Sequence, residues 1–323
     1  MMHGAMRLCL MVEGQEGVTW DEWLALGAAC ERSGLEGLFR SDHYLSVVGR
    51  RERSSLDALA TLAALAASTE RIRLGTLVSP VTFRHPSVLA KSATTIDHVS
   101  GGRVELGLGA GWNEEEHAAY GFEFPPLGTR MEVLEEQLEI VHRLWTEDSV
   151  TFVGRHYQLD DCPALPRPLQ EPHPPLILGG TAKPRSVALA VRLADEYNTL
   201  IASIEDCRER RSALEEACGS AGRDPATLPL TLMATCVVGE DRARLFERVR
   251  GVLAVFGSGD EDPEAVLAER RERWVAGTPD EVVERLGALA EAGVERVYLQ
   301  HLVHGDTEMV DLIGEAVVPA LAG

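Results

Sequence analysis

The segment Arg40-Ser41-Asp42-His43-Tyr44 places a carboxylate beside an imidazole at the end of a short apolar run, Leu35 to Phe39. A histidine titrates near neutrality, so it can donate to a developing anion or relay a proton. The neighbouring aspartate can meet the edge of a bound cofactor. A loop histidine beside a helix-capping aspartate is the bland alternative. The position of the pair at the exit of a buried strand favours chemistry, because α/β active sites are assembled at such exits. Two later segments have the same build: Leu74 to Pro86, with Thr76, Ser79, Thr82 and Arg84-His85, and Gly107-Leu108-Gly109-Ala110-Gly111-Trp112-Asn113-Glu114. Three apolar runs with polar or glycine-rich tips point to one shared pocket.

Gly107 to Gly111 reads G-x-G-x-G, with Trp112 where a dinucleotide fingerprint has its last glycine, and it follows a fourth strand, not a first. Close backbone approach to a flat ring is the better account of the clustered glycines. Asn113 would then hydrogen-bond an amide edge of that ring, and Glu114 to Glu116 reads as a solvated helix start. Gly179-Gly180-Thr181 precedes another helix, where free N–H groups and the helix dipole favour a phosphate. A plain strand-to-helix turn is an equal alternative there, tilted toward phosphate by Lys183 and Arg185. G-x-S-x-G, H-E-x-x-H and Walker A sequences are absent, which removes the sequence support for hydrolase and nucleotidase readings. His85, His301 and His304 match no metal-site spacing, and no metal is expected.

These tips need a scaffold of strands alternating with helices. Strands are predicted at Arg7–Val12, Leu35–Phe39, Ile72–Val78, Arg103–Leu108, Leu176–Leu178, Glu196–Ile201, Leu230–Val238 and Arg296–Gln300. Capping boxes at Thr19, Thr129 and Thr278 predict helix starts, and Gly34, Gly101-Gly102, Gly219 and Gly293 predict helix stops. Leu134, Leu138, Val141 and Trp145 fall on one helical face. Near-continuous apolar strands fit a parallel sheet covered on both sides. The expectation is an α/β fold, a (β/α)8 TIM barrel over residues 1–323, with insertions near 112–128, 148–175 and 241–277. An open doubly wound sheet is the alternative.

Bulk properties narrow the partners. The net charge of -20 disfavours nucleic acid and anionic membranes. No apolar run approaches the ~20 residues of a membrane span, and no signal peptide is legible, so a cytoplasmic location is expected. The six cysteines, at 9, 30, 162, 207, 218 and 236, form no C-x-x-C pair and read as reduced thiols.

Together, Ser41-Asp42-His43-Tyr44, Leu74 to Pro86, Arg103 to Glu114, Gly154-Arg155-His156-Tyr157, Leu178-Gly179-Gly180 and Ala194-Asp195-Glu196-Tyr197-Asn198 resemble the luciferase-like monooxygenase superfamily. More narrowly, the chain resembles the branch that uses coenzyme F420, a deazaflavin. The resemblance implies a cofactor lying across the C-terminal strand ends. It also implies a non-prolyl cis peptide around Leu77-Val78 that props up the ring. Asp42, His43, Thr76 and Asn113 would contact the head of the cofactor, and Gly179, Gly180 and Thr181 would lie near its phosphate tail. His43 would be the catalytic residue at the reacting centre. The implied activity is hydride transfer to or from a small organic substrate, in a homodimer. An FMN-dependent monooxygenase fed by a separate reductase is the alternative, and a non-catalytic flavin-binding protein a third reading. The sugar-phosphate dehydrogenases of the superfamily have a glutamate acid where Ala110 sits and a tryptophan near Val47, so their chemistry is not expected. Glu196 and Tyr197 replace the usual glycine and tryptophan after Asp195.

Overall fold

The computed structural model describes residues 6–321. Eight parallel strands form a closed ring: β1 (Arg7–Val12), β2 (Gly37–Arg40), β3 (Arg73–Thr76), β4 (Val104–Gly109), β5 (Leu176–Gly179), β6 (Glu196–Leu200), β7 (Leu230–Val238) and β8 (Val294–His301). Each pairs with its neighbours in chain order. β8 closes on β1 in the register Arg7↔Arg296 to Val12↔His301. The expected (β/α)8 barrel is therefore the fold, and the open sheet is excluded by the closing pair.

Helices surround the ring: α1 (Trp20–Ser33), α2 (Ala58–Ser68), α3 (Pro86–Ser100), α4 (Glu114–Tyr120), α5 (Leu127–Thr146), α6 (Pro184–Leu193), α7 (Ile204–Ala221), α8 (Arg242–Phe256), α9 (Pro263–Arg270) and α10 (Pro279–Glu291). The boxes at Thr19 and Thr278 cap α1 and α10 as expected. The expected box at Thr129 is not a cap. α5 begins three residues earlier, with Pro126 as its N-cap, and the Arg130 guanidinium donates to Pro125 O at 2.5 Å, tying down that first turn. Gly219 does not end α7 either. The helix continues to Ala221, and the left-handed residue is Gly222, whose N–H reaches the carbonyls of Cys218 and Gly219. Residues 148–175 carry a hairpin of Ser149–Val153 and Gln158–Pro163, and residues 241–277 carry α8, α9 and a short strand, Val275–Gly277, on the edge of β7.

Apolar side chains fill two shells, one between strands and helices and one inside the ring. The inner shell is Cys9, Met11, Phe39, Leu77, Ile177, Met233 and Tyr298. Below it the ring is charged. Buried Arg296 lies 2.7 Å from Glu105 and 3.2 Å from Glu196, and Glu196 also accepts from Tyr298 and Thr231. A cavity of about 510 Å³ opens beneath this cluster, at the N-terminal ends of the strands. Its arginines and glutamates pair with one another, as a structural ion network does, and it lies at the mouth opposite His43.

Candidate functional site

The C-terminal ends of β2, β3, β4 and β5 are consecutive around the ring. The sheet therefore brings His43, Leu77-Val78, Asn113 and Gly179-Gly180 to one side of one mouth. The peptide Leu77-Val78 is cis, at the position the resemblance implies.

Val78 explains the glycines. A Cβ on Gly107 would lie 2.2 Å from Thr76 O and 2.7 Å from a Val78 methyl. On Gly109 it would lie 2.8 Å from Val78, and on Gly179 3.0 Å. Gly107, Gly109 and Gly179 therefore make room for the Val78 side chain of the cis peptide, while Gly111, at a φ of 77°, packs near Pro80 and Thr82.

The imidazole of His43 is held from one side. Its Nδ1 is 2.7 Å from Glu116 Oε2, and its ring meets the Trp112 ring edge-on at 5.7 Å. Glu116 is fully buried, and its other oxygen accepts from the backbone N–H of Tyr44 and Leu45. Burial pulls the His43 pKa down, but the Glu116 carboxylate outweighs it and leaves the ring more basic than usual. Glu116 was expected to be a solvated helix residue, and it is instead the partner of His43. Within Glu114-Glu115-Glu116 the sequence does not distinguish the buried carboxylate from the two exposed ones.

Asp42 is also buried, but its carboxylate is turned into the protein. It accepts from Ser79 Oγ at 2.6 Å and pairs with Arg84, which also holds Tyr44 and Asp57. The Thr76 hydroxyl donates to Gly107 O at 3.0 Å and accepts from Gly107 N at 3.1 Å. Thr76 thus stitches β3 to β4. The structure places Asp42 and Thr76 behind the site as its supports. Asn113 caps α4 through Oδ1, which accepts from Glu116 N at 3.3 Å.

At the far end, Gly179-Gly180-Thr181 leads into α6, whose N-terminus has no side-chain cap. Gly180 N is used by Asn198 O, and Ala182 N donates to the Tyr197 hydroxyl at 2.8 Å, which also bonds Ser186. A Cβ on Gly180 would lie 2.3 Å from that hydroxyl. Tyr197, noted in the sequence only as a departure from the family pattern, is the post on which this loop is folded. An amide and an imidazole at one end, an apolar shelf between, and an uncapped helix N-terminus at the other form a donor set that fits a flat heterocycle with an anionic tail. Among the described residues no cluster of three or more His, Cys, Asp or Glu forms a metal site. No helix among them is long and apolar enough to cross a membrane.

Comparison with known proteins shows the family. The F420-dependent glucose-6-phosphate dehydrogenase of Nakamurella multipartita is 30% identical over 92% of this chain and 91% of its own length. The enzyme of the same name from Microbacterium testaceum is 28% identical over 93% of each chain. The solved structure of an F420-dependent secondary alcohol dehydrogenase in complex with an F420-acetone adduct shares the fold, with a TM-score of 0.81 and 22% identity over 98% of this chain and 99% of that one. The family model of the luciferase-like monooxygenases matches residues 6–296, and the chain belongs to that family.

Proposed function

We propose that the protein is an F420-dependent oxidoreductase that moves a hydride between the deazaflavin and a small organic substrate. One observation carries the reading: His43, clamped at Nδ1 by a buried carboxylate, follows β2 at the same mouth of the barrel where the cis Leu77-Val78 peptide follows β3, and the Nδ1 bond leaves Nε2 as the nitrogen available to a ligand. The deazaflavin would supply, when bound, a ring carbon able to accept or give hydride. His43, Leu77, Val78 and Asn113 would hold its head, with Asp42 and Thr76 bracing them from behind. The Gly179, Gly180 and Thr181 turn and the α6 N-terminus would hold its phosphate tail. His43 Nε2 gives or takes the proton that accompanies hydride transfer at a substrate carbonyl or alcohol.

The substrate is not expected to be a sugar phosphate, although relatives carry that activity. The arginines on the loops after β2 and β3 are already engaged: Arg50 with Glu52, Arg53 with Glu16, Arg51 with Glu115, and Arg84 with Asp42 and Asp57. A phosphate dianion would have to displace those carboxylates. The proposed setting is a cytoplasmic homodimer.

Fluorescence titration of the purified protein with F420, and separately with FMN, tests the cofactor. Preferential F420 binding supports the proposal. Preferential FMN binding favours the monooxygenase reading with a separate reductase, and binding of neither removes the site. His43→Ala should abolish turnover while sparing cofactor binding. Retained turnover would overturn the role of His43, and a protein that binds F420 but turns over no substrate would be a carrier.

A further inference from the structure

We infer that Glu116 is the positioning residue of His43: its buried carboxylate fixes the imidazole with Nδ1 protonated and turns Nε2 toward the cofactor site. The inference rests on the reading of His43 as the group at the reacting centre.

Glu116 has no exposed surface and serves three donors. One oxygen faces His43 Nδ1 at 2.7 Å, while the other receives the Tyr44 and Leu45 N–H groups, the latter at 3.2 Å. The same residue that orients the ring therefore holds the loop that bears it. A bond at Nδ1 settles which nitrogen carries the proton and leaves the other to act on a ligand. Glu116 is itself fixed, because its N–H is bonded to Asn113 Oδ1 at 3.3 Å. Asn113 and Glu116 lie in one helical turn, so movement of the Asn113 amide and of the His43 ring is coupled through α4.

Two other carboxylates face His43 and neither competes. Glu13, at the end of β1, accepts from Gln300 at 2.7 Å and from Gln15 at 2.9 Å. Asp42 is held by Arg84 and Ser79. Neither makes a hydrogen bond to the ring. Glu116 is thus the group through which the imidazole's basicity is set.

Glu116→Gln tests this with the fold retained, because the amide oxygen can still accept from the backbone N–H groups of the loop. Nitrogen-15 NMR of the imidazole in cofactor-free protein reads the tautomer and the titration of His43 directly. The expected result is a wild-type ring protonated at Nδ1 when neutral, and in the variant a titration midpoint lower by about one pH unit or more. In the holoenzyme, kcat should fall about tenfold or more, with F420 affinity preserved, and the pH-profile limb assigned to His43 should move down with the NMR midpoint. Glu116→Asp should recover part of both. An unchanged His43 titration, or an unchanged kcat and pH profile, would overturn the positioning role. The NMR measurement needs no cofactor, so the two readings fail separately. A shifted titration in a protein that binds no F420 overturns the cofactor assignment and leaves the Glu116–His43 pair standing.

Discussion

Arg84 grips Asp42 at both carboxylate oxygens, with Nη1 2.5 Å from Oδ2 and Nη2 3.2 Å from Oδ1. Both side chains are nearly buried, and the Asp42 carboxylate also accepts from Ser79. Removing one member leaves the other charge desolvated and unpaired, a change that typically costs about 3–5 kcal/mol. Arg84→Met should therefore lower the unfolding free energy by about 3 kcal/mol or more, measured by urea denaturation. It should also weaken cofactor binding, since Arg84 ties Tyr44 and Asp57 to the His43 loop. A variant as stable as wild type would show that Asp42 is not held as the geometry indicates.

The seat of Val78 gives a second prediction. Gly109→Ala drives a Cβ to 2.8 Å from a Val78 methyl, so Val78, and with it the proposed seat of the ring, must shift. F420 affinity should fall at least tenfold in a folded protein, a loss of about 1.4 kcal/mol. Val78→Ala should restore part of it in the double variant, because the two changes share one volume. Independent, additive losses in the double-mutant cycle would separate the glycines from the shelf. Gly107→Ala offers no such rescue, since its Cβ would meet the backbone carbonyl of Thr76 at 2.2 Å.

Much of this architecture is written in local pattern. Arg7–Val12 and Leu230–Val238 have the bounds that the apolar runs predict. The third strand was expected to reach Val78, but its ladder stops at Thr76, because the chain turns at the cis peptide and rejoins β4 at Ser79-Pro80. The site was legible as far as its tips. Asp42-His43, Asn113 and Gly179-Gly180 could be located because polar groups ended apolar runs. Their partners could not, because Glu116 meets His43 across 73 residues of chain and no period marks it among three glutamates. The inner ion cluster left a weak signal: Glu105 and Arg296 are charges inside otherwise apolar strands, and such charges need partners across the barrel.

That cluster is the basis of a third prediction. Arg296 neutralises Glu105 at 2.7 Å and also approaches Glu196 and Glu36, at 3.2 and 3.1 Å. Arg296→Met would bring buried carboxylates together without a cation. The loss should be about 3–5 kcal/mol, shrinking as pH falls and the glutamates take up protons. Urea midpoints at pH 7 and pH 5 measure it. An equal deficit at both values would mean that lost packing, and not charge, dominates.

His301 predicts the acid limb of stability. It is the last residue of β8, near His304, Asp306 and Arg248, with its Nε2 buried and unpartnered. Burial pushes its pKa down to about 3, with His304 adding to the shift. In the unfolded chain the same ring titrates near ~6.5. Below that value the unfolded state binds a proton that the native state refuses, so stability present above pH ~6.5 is lost as the pH falls toward 3. The slope from this one group approaches about 1.4 kcal/mol per pH unit. His301→Leu should flatten the profile between pH 6.5 and 5 by about that amount. The comparison is one of slopes, so any packing cost of leucine, constant with pH, drops out.

The loop at Gly180 tests the tail site without touching the mouth. The Tyr197 hydroxyl accepts from Ala182 N and exchanges a bond with Ser186, and Ala182 itself sits at a φ of 53°. A left-handed alanine persists only where its surroundings hold it. Tyr197→Phe removes the hydroxyl that receives the Ala182 N–H, at a cost of about 1–3 kcal/mol shared between stability and loop order. The loop precedes the uncapped end of α6, so its loosening should weaken any ligand whose anionic part lies there. F420 should bind several-fold more weakly to the variant, while a tail-free deazaflavin, lacking the phosphate, should bind as it does to wild type. Equal loss for both ligands would show that Tyr197 acts on the whole site through β6, and the phosphate assignment at Gly179-Gly180-Thr181 would fall with it.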